Sequence, residues 1–206
     1  MADRPLLLNH VEMVYRPGEA EHARAFFETM GFTVTKSMAW LRIRINPEGN
    51  GVDNVMFANE ATPAQQNFDA AFEQALATDP RLAEMSDRQR KVGREWPYYN
   101  FHFGASIPTH GDWERRVERL REASESHPLL RDRVELVVFE ADTPRALTLH
   151  SQAFVFTDIL TTNAPFSQGL QFELQFTPVP VSEAFAPRRV GSMKSANPFP
   201  EMATLV

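Results

Sequence analysis

Leu170-Gln171-Phe172-Glu173-Leu174-Gln175-Phe176 alternates apolar and polar residues without a break. A strand turns successive side chains to opposite faces. Leu170, Phe172, Leu174 and Phe176 therefore form one apolar face, and Gln171, Glu173 and Gln175 form the other. Upstream, the stretch 100–106 splits in the same way, with Phe101, Phe103 and Ala105 against Asn100, His102, Gly104 and Ser106. Near the start of the chain, Leu8, His10, Glu12 and Val14 oppose Val11, Met13 and Tyr15. At 40–45, Leu41, Ile43 and Ile45 oppose Trp40, Arg42 and Arg44. Apolar faces belong under helices. Each polar face alone would serve as ordinary solvent-facing sheet, but brought together they would line a polar concavity.

The rest of the chain supplies those helices and repeats the pattern. A strand over 6–15 leads through Pro17-Gly18 to a helix with Ala23, Phe26, Phe27 and Met30 at helical spacing. Gly31 suits its C-terminal stop, because glycine takes the left-handed conformation without steric cost. Strands are predicted over 32–36, 40–45 and 52–58, the last two separated by the turn-rich segment 46–51. Residues 63–92 read as a helical linker with Phe68, Phe72 and Leu76 on one stripe, which needs a surface to lie on. It should end before Pro97. A strand over 98–106, a helix over 113–123 (Trp113, Val117 and Leu120 on one face) and strands over 134–140, 154–160 and 170–177 follow. His10 lies sixteen residues before Phe26 and His102 eighteen before Leu120, so the halves read as a diverged tandem repeat. The predicted fold class is α+β: two tandem βαβββ modules forming a cupped mixed sheet around a central site. The modules span 1–62 and 98–177, joined by a helical linker over 63–97. An irregular tail over 178–206, carrying Arg188-Arg189, is expected to wrap the surface or reach a partner.

Composition narrows the function classes. The 206 residues are 43% hydrophobic, enough for a packed core. A net charge of −6 argues against a general nucleic-acid binder. No run approaches the roughly 20 apolar residues that span a bilayer, and the N-terminal apolar run is too short for a signal peptide. These features lead us to expect a cytoplasmic protein without membrane or nucleic-acid partners. With no Cys, any metal site must use nitrogen and oxygen ligands.

Leu8-Asn9-His10-Val11-Glu12-Met13-Val14, the helix around Ala23–Phe27 and Met30-Gly31-Phe32 together resemble the vicinal oxygen chelate superfamily. That superfamily includes glyoxalase I, extradiol dioxygenases and the bleomycin- and fosfomycin-resistance proteins. The resemblance covers roughly 6–60 and 98–177. It implies metal ligands on the first and last strands of the modules, which here fall on His10, His102 and Glu173. Asn54 stands where Glu173 does, through the match of 53–57 with 172–176. Two imidazoles and a carboxylate suit a divalent metal with open positions, Fe(II) ahead of Mn(II) or Zn(II). The segment 161–173 partly resembles the extradiol signature. It departs at Thr161, where the signature has Tyr, and at Ala164, where it has an acidic residue.

Further candidates surround this set. His150 and Glu12 are placed as acid–base groups, and Gln171, Gln175, Arg42 and Arg44 as substrate-binding groups, the arginines by clamping a carboxylate. His22, His110 and His127 read as surface residues, and 113–119 as a solvated helix face. The implied function is a metal-dependent, dioxygenase-like enzyme acting on a small oxygenated or aromatic substrate. The alternatives are a glyoxalase-like isomerase or lyase, and a metal-free ligand-binding or drug-sequestering protein of the same fold. The resemblance also implies association into a homodimer.

Overall fold

The computed structural model describes residues 10–37, 40–46, 48, 54–97, 100–141, 150–161 and 170–176. The first half contains β1 (His10–Tyr15), α1 (Ala20–Thr29), β2 (Thr33–Ser37), β3 (Trp40–Arg44) and β4 (Val55–Glu60). Two helices follow, α2 (Pro63–Thr78) and α3 (Pro80–Glu95). The second half contains β5 (His102–Ser106), α4 (His110–Ser126), β6 (Val134–Phe139), β7 (Ser151–Thr157), β8 (Leu160–Thr161) and β9 (Leu170–Phe176). The expected strand residues 6–9, most of the turn at 46–51, the signature residues 162–169 and the tail over 178–206 lie outside the described residues.

The strands form two mixed sheets, ordered β2-β3-β4-β1-β8 and β5-β9-β7-β6. In each, the opening strand runs parallel to the closing strand, and the remaining neighbours are antiparallel. Strand for strand, β1-β4-β3-β2 repeats as β5-β9-β7-β6, so the tandem βαβββ reading holds in topology. One element breaks the symmetry. β8 leaves the second half and pairs with Val14 and Tyr15 of β1, giving the first sheet a fifth strand.

Alternation places the faces as expected. Met13, Tyr15, Leu41, Ile43, Met56, Ala58, Phe172 and Leu174 are buried, whereas His10, Glu12 and Trp40 are exposed. A single cluster joins both halves, with Phe26 and Phe27 of α1 each 5.5 Å from Phe172 of β9. Trp113 of α4 sits in the same core and donates its indole N–H to the Leu174 carbonyl at 2.9 Å. Charged side chains lock the halves at the rim. Arg133 binds both Glu19 and Asp158, and Arg16 donates to the Asp158 carbonyl at 2.8 Å.

Three points refine the expectations. The linker is helical as expected and is split into two helices, because Pro80 holds Asp79 extended (φ −108°, ψ 104°) and cannot continue the helix. Asp79 then caps α3, its Oδ1 accepting from the amides of Arg81 and Leu82. The apolar stripe is only partly covered, with Phe72 and Leu76 half-buried. Phe68 is 51% exposed, and Phe72, Leu76, Leu82 and Met85 line an open cleft of about 1050 Å³ against the sheet rim. The seventh strand begins at Ser151 rather than 154, since Ser151, Gln152 and Ala153 all pair across to β9.

Candidate functional site

The polar face of the second sheet is built from alternate residues on adjacent strands. In register, His102 stands opposite Gln171 and Gly104 opposite Glu173. On the other side of β9, Gln152 faces Gln175 and Phe154 faces Glu173. Three strands, β5, β9 and β7, thus meet at Glu173, whose side chain is 7% exposed against 23% for His102.

Each polar atom there is matched. His102 Nε2 lies 3.2 Å from Glu173 Oε2, and its Nδ1 lies 2.8 Å from the Asn100 carbonyl oxygen. Only the imidazolium form can donate from both nitrogens, so two facing acceptors favour the charged ring. Its pKa is raised accordingly, chiefly by the hydrogen bond to Glu173; burial opposes the shift, while the Asn100 carbonyl and the carboxylate charge reinforce it. Gln152 Nε2 donates to Glu173 Oε1 at 2.5 Å. Phe154 backs the imidazole edge to face, ring centres 5.5 Å apart. Gly104 lies directly beside the carboxylate, where a Cβ would make an ordinary contact with Oε2 at 3.4 Å.

Neighbouring elements hold this centre in place. Asn100 Nδ2 donates to Gln171 Oε1 at 3.1 Å, and Gln171 Nε2 donates to the Pro97 carbonyl at 3.1 Å. Gln171 therefore fixes the α3–β5 connection rather than presenting a free amide to a substrate. His150 immediately precedes β7 and is 2% exposed. Burial lowers its pKa, and the charge of Glu173 partly offsets that shift. The two histidines around one carboxylate are thus driven in opposite directions, a pattern that separates donor from acceptor roles.

Of the three expected metal ligands, the structure brings two together. Among the described residues, no group of three or more His, Asp or Glu side chains stands where it could hold a metal ion. His10 instead packs edge to face on Phe57, ring centres 5.8 Å apart. The match of Asn54 with Glu173 also fails on register. His10 pairs with Val55 and Glu12 with Phe57, as His102 pairs with Gln171 and Gly104 with Glu173. Phe57 is therefore the counterpart of Glu173, while Asn54 precedes β4 with φ +57°. The described residues do not complete the donor set that the resemblance implies, and they give no basis for preferring Fe(II).

The remaining candidates divide between the sheets. Gln175 shares the face of Glu173, whereas Glu12, Arg42 and Arg44 belong to the face of the first sheet. Gln152 escaped the sequence reading because its strand was started three residues late. The signal was there: His150, Gln152, Phe154 and Phe156 fall on one parity. The small residues Ser151 and Ala153 on the other parity hid the strand.

No family model and no curated protein matches the chain. Among solved structures, it is similar to protein PA1353 from Pseudomonas aeruginosa, with 9% identity, 84% of this chain and 98% of that chain covered, and a TM-score of 0.43. It is also similar to the fosfomycin resistance protein FosX from Mesorhizobium loti, with 13% identity, 89% and 100% coverage, and a TM-score of 0.43. Similarity at this level transfers neither site nor activity. The paired βαβββ architecture rests on the strand order and register given above. Among the described residues, no helix is long and apolar enough to cross a membrane.

Proposed function

We propose that this chain binds and acts on a small oxygenated or aromatic molecule at the polar face of its second sheet, with His102 and Glu173 as the engaging pair. The carrying observation is the near-buried Glu173 carboxylate held 3.2 Å from His102 Nε2. Desolvating such a pair gains little stability, because apolar residues of similar volume would usually do as well. Charge kept inside a sheet face is therefore better explained by the chemistry it performs. His102 supplies a proton donor, Glu173 an acceptor, and Phe154 an apolar wall for a ring. The test is thermal unfolding of the protein with catechols, 2-oxo acids, 2-hydroxy acids and aromatic carboxylates, beside His102→Gln. At least one class should raise the wild-type Tm and leave the variant unmoved. Equal responses of the two proteins to every class would overturn the proposal.

The metal-dependent reading, dioxygenase-like or glyoxalase-like, has one specific observation in its favour. Ligand atoms about 2.1 Å from a shared metal lie roughly 3.0–3.4 Å apart, which spans the His102–Glu173 separation. The Asn100 carbonyl on Nδ1 would also orient a ligating imidazole. Metal content by mass spectrometry decides it, using protein loaded anaerobically with Fe(II), Mn(II) or Zn(II). Near-stoichiometric metal lost in His102→Ala supports that reading, and loss in His10→Ala as well would restore the three-ligand set. An empty wild type leaves the metal-free binding protein.

A further inference from the structure

We infer that the first sheet carries a separate site for a small organic cation of the alkylammonium kind, in the cup formed by Trp40, Phe57, Glu12 and Asn59. The inference does not depend on the proposal for the second sheet. It begins from the broken symmetry between the halves. Where the second half places a carboxylate at residue 173, the first half places the Phe57 ring, and where the second half has Gly104, the first has Glu12. The polar centre has been replaced by an aromatic wall, and the carboxylate has moved one strand over.

The resulting cup has a volume of about 230 Å³. That is below the roughly 300–1,000 Å³ of pockets for drug-sized ligands, so it fits a compact group. Trp40 and Phe57 meet at an 83° angle with ring centres 5.1 Å apart, making two walls of a corner. His10 extends the aromatic lining beyond Phe57. Trp40 is 36% exposed although a tryptophan gains from burial, which leaves its surface open to a ligand. Glu12 faces Phe57 across the β1–β4 pairing and lines the same cup. Ring faces carry negative quadrupole potential and attract a cation within about 6 Å of their centres. A carboxylate beside two rings selects for positive charge over a neutral group of the same shape. Arg42 pairs with Phe57 from β3 and Glu12 pairs with it from β1, so the two charges flank the Phe57 ring on one face and the cation belongs on the Glu12 side.

Isothermal titration of the full chain with tetramethylammonium chloride, against tert-butanol as a neutral probe of similar shape, tests this. Saturable binding of the cation is expected, at least about tenfold tighter than tert-butanol. Glu12→Gln should weaken it about fivefold or more, and Trp40→Leu should abolish it, with circular dichroism showing both variants folded. Glu12 is exposed, so its substitution leaves the fold intact. Equal binding of cation and alcohol, unchanged binding in Glu12→Gln, or no saturable heat with the cation would each overturn the inference.

Discussion

A helical glycine is ordinarily a weak point, and replacing it with alanine stabilises a helix interior by about 0.5–1 kcal/mol. Gly93 of α3 should do the opposite. A Cβ at this position would overlap the Asn100 amide nitrogen and press on its oxygen at 3.1 Å and its carbon at 3.2 Å. The Asn100 side chain would have to swing away, giving up its hydrogen bond to Gln171 Oε1. Gln171 is 2% exposed, so its oxygen would be left without that donor in the interior. An unmatched buried acceptor costs about 1–3 kcal/mol. Set against the helix gain, Gly93→Ala should destabilise the protein by about 1 kcal/mol, measured by urea unfolding. In an Asn100→Ala background the obstruction is already gone, and the same substitution should stabilise by about 0.5–1 kcal/mol. The change of sign is the signature. Stabilisation of the wild type by Gly93→Ala would refute the packing argument. Because the Asn100 carbonyl receives His102 Nδ1, the variant should also shift the His102 ring resonances.

Three other outcomes follow from the geometry. Gly31→Ala must place a side chain at φ +88°, a strained conformation for any L residue, while the flexible Arg116 guanidinium that donates to the Met30 carbonyl can swing aside; urea unfolding should show a loss of about 1–2 kcal/mol, most of it retained in an Arg116→Ala background. Trp113→Phe removes the donor to the buried Leu174 carbonyl and should cost about 1–3 kcal/mol, and a loss below half of one would count against that bond. The two site histidines should oppose each other in pH. The raised His102 contributes stability below the ordinary value of 6.5 that is lost as pH rises through its folded pKa. The lowered His150 contributes stability above 6.5 that is lost as pH falls toward its folded pKa. Stability should therefore peak between, with His102→Gln flattening the alkaline side and His150→Gln the acid side. The opposite assignment of sides would refute the electrostatics.

Much of the fold was legible because strand alternation is a local property. The split of 170–176 into two faces needed no knowledge of neighbours, and Phe172 and Leu174 are buried as that split requires. Register is not local. The Asn54 assignment was made by sliding one short strand along another, and a shift of three residues escapes notice where both strands are mostly apolar. Only the pairing of His10 with Val55 shows that Phe57 is the counterpart of Glu173. The site divided along the same line. His102 and Glu173 were named from the sequence, and they meet because adjacent strands bring them together. The inclusion of His10 required two separate sheets to converge, which no pattern within one strand specifies. Asp79-Pro80, by contrast, was an interruption readable from sequence.

The pairing of β8 with β1 has a consequence for how this chain can be taken apart. Leu160 and Thr161 complete a sheet whose other strands all come from the first 60 residues, and Phe172 fills a core with Phe26 and Phe27. The apparent duplication is therefore not a pair of interchangeable parts. A fragment ending near residue 97 would lack its last strand and expose the apolar surface that the second half covers, so the two halves should melt in one transition and fail to fold when expressed apart. The halves differ in sequence yet share one core, and a break in the chain's repeat is no place to cut it.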